Sequence, residues 1–197
     1  MVATSQSDEQ LWQRLKSDDA QAFEALFERY YPQLLAYGNS LLSHADRVQD
    51  CAQNVFMDVW LYRRKLQEKV SVKSYLLASL RKRIARLHER DHFFRRSTSL
   101  EAVEFVLHFS IEDQLIADEE TASKVQLINQ MLNNLPARQK EVLYLRYHQG
   151  LDIEQVAEIL GVNNQSVSNL LYRAIQHLRK EWMGSVGALI GFLIRMK

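Results

Sequence analysis

Apolar residues recur every three or four positions along most of this chain, the spacing of one face of an α-helix. Phe23, Leu26, Phe27, Tyr30 and Leu34 form a first stripe. Val48, Cys51, Ala52, Val55, Phe56 and Val59 form a second, with Gln49, Asp50, Gln53, Asn54, Met57 and Asp58 on its other side. A third helix is expected from near Ser71 to about Asp91, burying Leu76, Leu80, Ile84 and Leu87. Its Lys82, Arg86 and Arg90 follow one another at i, i+4 on a different face. Between residues 95 and 123 the pattern breaks into apolar islands (Val103, Phe105, Val106, Leu107, Phe109) among Ser, Thr and Glu. Periodicity resumes at Ala122 with Val125, Ile128, Met131, Leu132 and Leu135. The pattern predicts an all-α protein of two small helical domains, residues 1–94 and 122–183. A linker over 95–121 joins them, and an apolar tail covers 184–197.

The most specific stretch runs from Leu135-Pro-Ala-Arg-Gln-Lys-Glu to Trp182 and spells a helix-turn-helix with its supporting helices. A first helix, Ile153 to Gly161, leads through Val162-Asn-Asn-Gln into a second that begins at Ser166. Ala157 is small where two helices must cross closely. Gly161 stands where the chain leaves the first helix, a place that often needs positive φ. Val167 is apolar where the second helix packs back. Asp152 is placed to cap the first helix, with Gln155 three residues on to complete a capping box. The second helix then offers Gln165, Ser166, Ser168, Asn169, Tyr172 and Arg173 as donors and acceptors for base edges and phosphates. Pro136 at a helix start and the apolar helix that follows it supply the context, so this segment points to DNA.

Net charge, +1 overall, becomes informative when it is divided along the chain. Residues 1–60 carry four Lys/Arg against nine Asp/Glu, and residues 61–96 carry twelve against three. Residues 97–123 carry none against seven, and residues 124–197 carry nine against five. Two basic blocks flank an acidic linker, which suggests two nucleic-acid contacts on one chain. Cys51 is the only cysteine, so there is no internal disulfide and no Cys-rich zinc site, as fits a reducing compartment. No basic-then-apolar leader opens the chain, and a cytoplasmic location is expected.

With both halves read, the chain resembles the extracytoplasmic-function (ECF) sigma factors of bacterial RNA polymerase over about residues 18–92 and 122–182. The resemblance rests on Ala22-Phe-Glu-Ala-Leu-Phe-Glu-Arg-Tyr-Tyr-Pro32, on Asp50-Cys-Ala-Gln-Asn-Val-Phe-Met-Asp-Val-Trp60 and on Ser74-Tyr-Leu-Leu-Ala-Ser-Leu80. In the second half it rests on Leu135-Pro-Ala-Arg-Gln-Lys-Glu-Val-Leu143 and the helix-turn-helix. It implies a sigma region 2-like domain over 1–94 and a region 4-like domain over 122–183. Asp50, Gln53, Asn54, Met57 and Trp60 would meet the β′ clamp helices of core RNA polymerase, with Phe56 in the core and Trp60 equally placed for either role. Lys73, Tyr75, Lys82, Arg83, Arg86 and Arg90 would engage the promoter −10 element. The cations would hold phosphates, and Tyr75 would either stack on an unpaired base or belong to the core. The helix-turn-helix would read the −35 element, with Gln165, Ser166, Ser168 and Asn169 near the groove and Arg138, Lys140, Tyr172 and Arg173 nearer the backbone. Many ECF factors carry basic residues at the positions of Ser168 and Leu170, and this chain has neither. The acidic linker would lie inside the polymerase, and in the free factor it would pair with the basic helix at 71–90.

Partners implied are core RNA polymerase (β′ and β subunits), promoter DNA and an anti-sigma factor. No cofactor, metal, small-molecule substrate or enzymatic role is expected. His88 and His92 stand at i, i+4, but without further ligands they read as part of a basic surface. The rival readings are a helix-turn-helix transcription regulator with an N-terminal helical sensing or interaction domain, and a protein-interaction adaptor. The tail Gly184 to Ile194 is too short to span a bilayer. It would pack on the second domain, or else dock a partner or touch a membrane.

Overall fold

The structure, a computed structural model, describes the backbone of residues 6–95 and 129–195 and the side chains of residues 6–90 and 129–181. Every regular element among the described residues is helical. The chain divides into two units, taken here in turn.

In the N-terminal unit α1 spans Asp8–Lys16, α2 Ala20–Leu41, α3 Ala45–Leu61 and α4 Val72–Arg95. A 3-10 turn, Arg63–Lys65, precedes α4. The long α2 packs against α1, α3 and α4, and α3 also meets α4. The core is the α3 stripe as the sequence predicts it, from Val48 to Val59, joined by Leu26, Tyr30, Leu34 and Tyr37 of α2. Leu76, Leu80 and Ile84 of α4 complete it, whereas Leu87 is only half-buried.

Helix α1 goes beyond the periodicity read from residue 23 onward. Its start is a capping box: the Ser7 hydroxyl accepts from the Gln10 N–H, and the Gln10 side chain accepts from the Ser7 N–H. Leu11, Trp12 and Leu15 are fully buried, and Asp8 accepts hydrogen bonds from Arg29 and Tyr30 of α2. Burial, reinforced by the adjacent Asp8 carboxylate, pushes the Tyr30 phenol well above its usual range.

Gly38 of α2 lies against Val48 of α3 and Leu80 of α4. A Cβ there would stand 2.4 Å from Val48 Cγ1 and 3.4 Å from Leu80 Cδ2. Valine is stiff at χ1, so the neighbour cannot swing away freely. Gly38→Ala is expected to cost about 1–3 kcal/mol through overpacking, more than alanine's higher helix propensity returns. Chemical denaturation of the variant measures this directly.

In the second unit, residues 129–133 are helical and α5 spans Ala137–Leu143, entered through Pro136. A single π-type turn, Tyr144–His148, extends it, closed by the Gln149 N–H on the Tyr144 carbonyl. Helix α6 spans Ile153–Leu160, directly after Asp152, although residues 155–161 group with the first unit, and α7 of the second unit spans Asn164–Arg195. Helix α5 packs against α7, with Val142, Leu145, Val167 and Ala174 fully buried. The backbone of α7 continues straight through the boundary expected at 183–184. The side chains of the apolar tail lie outside the described residues, as does nearly all of the acidic linker, so its expected pairing with α4 does too.

Candidate nucleic-acid interface

The turn between α6 and α7 is shaped by two residues. Gly161 has φ +66, and beyond its chain neighbours no atom lies within 4 Å of where its Cβ would be. The backbone conformation alone therefore calls for glycine, because a left-handed residue with a side chain costs about 1–2 kcal/mol. Asn163 caps α7: its Oδ1 accepts from the Ser166 N–H at 2.8 Å. The helix thus starts at Asn164, two residues before the expected start at Ser166.

That earlier start puts Gln165 and Ser166 in the first turn of α7. Gln165, Asn169, Tyr172 and Arg173 are exposed, Ser166 and Ser168 are half-buried, and Val167, Leu171 and Ala174 face inward. Gln165 Nε2 donates to Asn169 Oδ1 at 3.1 Å, and the Ser168 hydroxyl donates to the Asn164 carbonyl at 3.1 Å. These polar groups are held in one register on the exposed face of the helix. Arg138 is exposed in the first turn of α5. Lys140 is not placed as expected: it is 9% exposed, and its Nζ donates to the Asn133 carbonyl at 3.1 Å. It satisfies a carbonyl at the end of the preceding helix, a group that helix geometry leaves without an intrahelical partner.

In the N-terminal unit the six residues assigned to the first DNA contact separate by exposure. Lys82, Arg86 and Arg90 are exposed on α4, while Lys73, Tyr75 and Arg83 are half-buried. Arg83 is paired with Asp58 of α3. Burial pushes the Lys73 ammonium below its usual value, with Asp8 opposing that shift. Tyr75 meets the Trp12 ring edge-on at 5.5 Å and also lines a cleft beside the basic residues, so its surroundings fit either role. A cleft of about 150 Å³ between α3 and α4 is lined by Asp58, Tyr75, Ser79, Lys82, Arg83 and Arg86, with Val55 and Val59 at its base.

A second concavity, about 380 Å³, opens on the other side of α3. Gln53, Met57 and Trp60 line it, together with Phe56 and with Phe23 and Phe27 of α2. Asp50 and Asn54 are exposed on the same helix, and Met57 is 66% exposed. Trp60 is half-buried, its ring 5.2 Å from Phe23 and covered by the Arg63 guanidinium at 4.2 Å. Phe56 is core, as expected, at 2% exposure. Phe23 and Phe27 are a correction: instead of sharing the buried face with Leu26 and Tyr30, they are half-buried groove walls. Positions 23, 27 and 31 form their own i, i+4 row beside 22, 26, 30 and 34. Two such adjacent rows are wider than one buried face, and that width was the signal for a second surface.

Among the described residues there is no group of three or more His, Cys, Asp or Glu able to hold a metal, and no helix long and apolar enough to cross a membrane.

Among the described residues the chain is helical, with two helices joined by a tight glycine turn near its C-terminal end and a basic helix, α4, in the N-terminal unit. Comparison with known proteins identifies its family. The model for sigma-70 region 2 matches residues 26–93, and that for sigma-70 region 4 matches residues 126–178. Together they take in more than half of the chain. It is similar to the RNA polymerase sigma-H factor of Pseudomonas aeruginosa, 25% identical, covering 91% of this chain and 95% of that protein. It is similar also to the sigma factor YlaC of Bacillus subtilis, 26% identical, covering 81% and 91%. Among solved structures, CnrH in complex with the cytosolic domain of CnrY has the same fold, with TM-score 0.60, 17% identity and coverage of 91% and 99%. So has RpoE of Bartonella quintana, solved with the anti-sigma factor NepR, with TM-score 0.59, 23% identity and coverage of 82% and 96%. This chain belongs to the sigma-70 family of RNA polymerase sigma factors, in its ECF group. It is a promoter-recognition subunit, and sigma factors are non-enzymatic.

Proposed function

We propose that the two units divide promoter recognition as their surfaces suggest. The N-terminal unit docks on the β′ clamp helices of core polymerase through Asp50, Gln53, Asn54, Met57 and Trp60, with Phe23 and Phe27 added. It holds the −10 element through Lys82, Arg86 and Arg90, with Lys73 and Arg83 at the edge. The C-terminal unit reads the −35 element with Gln165, Ser166, Ser168 and Asn169, flanked by Arg138, Tyr172 and Arg173. The factor works in the cytoplasm, where its polymerase is. An anti-sigma factor is a further partner, supported by the complex with NepR in which RpoE was solved.

One observation carries this reading. Helix α3 lines both an apolar groove and a basic cleft, on different sides. A unit built this way holds a protein partner and nucleic acid at once, which is what separates a sigma factor from an ordinary regulator. Lys140, tied into its own unit, is left out of the DNA surface. The test is run-off transcription: the chain is added to sigma-free core over a pool of genomic fragments, and the transcripts are sequenced. New start sites sharing two upstream elements are expected. DNA binding without any complex with a cognate core would return the protein to the class of helix-turn-helix regulators.

A further inference from the structure

The basic segment between α3 and α4 is braced by residues that precede the region 2 match, which begins at residue 26. Trp12 Nε1 donates to the Gln67 carbonyl at 2.9 Å, and Gln13 Nε2 donates to the Glu68 carbonyl at 3.1 Å. Asp18 accepts from Arg63 Nε at 2.6 Å and from Arg64 Nε at 3.0 Å, with Arg64 Nη2 adding a further bond. Arg63 also donates to the Trp60 carbonyl at 2.6 Å. The same α1 helix supports the first turn of α4, where Trp12 meets Tyr75.

Two features show that the brace is more than a turn. Asp18 has φ 70, where glycine is the residue free of steric cost. A turn with no other duty would favour glycine there, yet this position carries a carboxylate engaged by two guanidiniums. The segment it holds is also an unusual thing to immobilise. Beyond the 3-10 turn it has no regular structure before α4, and Arg64, Lys65, Gln67, Glu68 and Lys69 are exposed. Exposed irregular loops are ordinarily mobile. Here two of its carbonyls and two of its arginines are tied to one scaffold. The charges so fixed lead directly into Lys73 and the basic helix α4. Ordering them in advance removes a cost that binding would otherwise meet.

We infer that Asp18 is a positioning residue that, with Trp12, presets the basic segment Arg63–Lys69 for engaging promoter DNA beside α4. It acts through Arg63 and Arg64 and touches no DNA itself. The inference rests on the promoter-binding reading of the N-terminal unit.

The experiment compares the full chain with Asp18→Asn and Asp18→Gly on the promoter recovered by run-off transcription. Asn keeps the shape and tolerates the left-handed backbone, whereas Gly relieves it entirely, so neither variant threatens folding. Three quantities are read: the unfolding midpoint, the affinity for core polymerase, and the fraction of promoter opened, by permanganate reactivity of unpaired thymines. Both variants are expected to open the promoter about tenfold less well, the size expected when two long side chains must be ordered at binding. The midpoint and the core affinity stay at wild-type values. Normal opening by either variant overturns the inference. So does a loss of midpoint or core affinity that parallels the loss of opening, since Asp18 would then merely support the fold. A wild-type chain that forms no holoenzyme takes the sigma reading down as well. A wild type that opens the promoter, with variants that equal it, overturns this inference alone.

Discussion

Replacing Met57 with glutamate is expected to weaken assembly with core polymerase by about 10- to 100-fold, the loss typical of disrupting a residue that carries much of an interface's binding energy. The side chain is 66% exposed in the free chain, so a carboxylate there stays in water. Substitutions at such sites usually change stability by no more than about 0.5 kcal/mol. The cost arises on docking. Met57 stands at the rim of the groove walled by Phe23, Phe27, Phe56 and Trp60, and a partner helix seated there would strip the new charge of its water. Competition binding to core polymerase checks the loss. An unchanged unfolding midpoint and unchanged DNA binding by the free chain show that it is local. Wild-type affinity in the variant would move the docking site away from this groove.

The helix-turn-helix was legible because each of its special positions has a local, steric reason. Gly161 needs a backbone that only glycine adopts freely, and Val167 is buried by a register that repeats every turn. The α3 stripe was legible for the same reason: all six of its apolar residues are buried. What the pattern left open was where, across a wide apolar face, the buried arc ends. On α2 a period of 3.6 does not say whether Phe23 lies within the buried arc or just past its edge. The answer depends on where α3 crosses, a tertiary fact set partly by the contact of Gly38 with Val48.

Helix α1 went unread for a different reason. Its capping box, Ser7 to Gln10, and its short row of Leu11, Trp12 and Leu15 were present, but a nine-residue helix offers only about two and a half turns of periodicity. Tertiary packing stabilises it rather than its own propensity. Lys140 shows the converse failure. A lysine in a basic helix reads as a surface charge, and only the orphan carbonyl of Asn133 at the adjacent helix end explains why this one turns inward. The polar residues of α7 needed no such rescue, because their exposure follows from the burial of Val167, Leu171 and Ala174 on the opposite face.

Neutralising the exposed row on α4 should have an effect as large as the charge at Met57, and one that salt makes recognisable. In Lys82→Gln/Arg86→Gln/Arg90→Gln, three cations are removed that are all exposed and spaced one turn apart. Each phosphate that a cation neutralises contributes roughly 0.7 to 0.9 to the slope of log affinity against log salt. Losing three contacts lowers that slope by about 2 to 3. The gap between wild type and variant should therefore narrow by about 20- to 40-fold as salt rises from 50 to 200 mM. A variant damaged through its fold would not show this signature, because its deficit would not shrink with salt. Arg83→Gln is expected to change the slope little, since Asp58 already pairs with that guanidinium. Titrating holoenzyme onto the recovered promoter across a salt series reads both variants together. Parallel lines for the wild type and the triple variant would mean that the basic face of α4 holds no phosphates, and the −10 contact would have to be sought elsewhere on the unit.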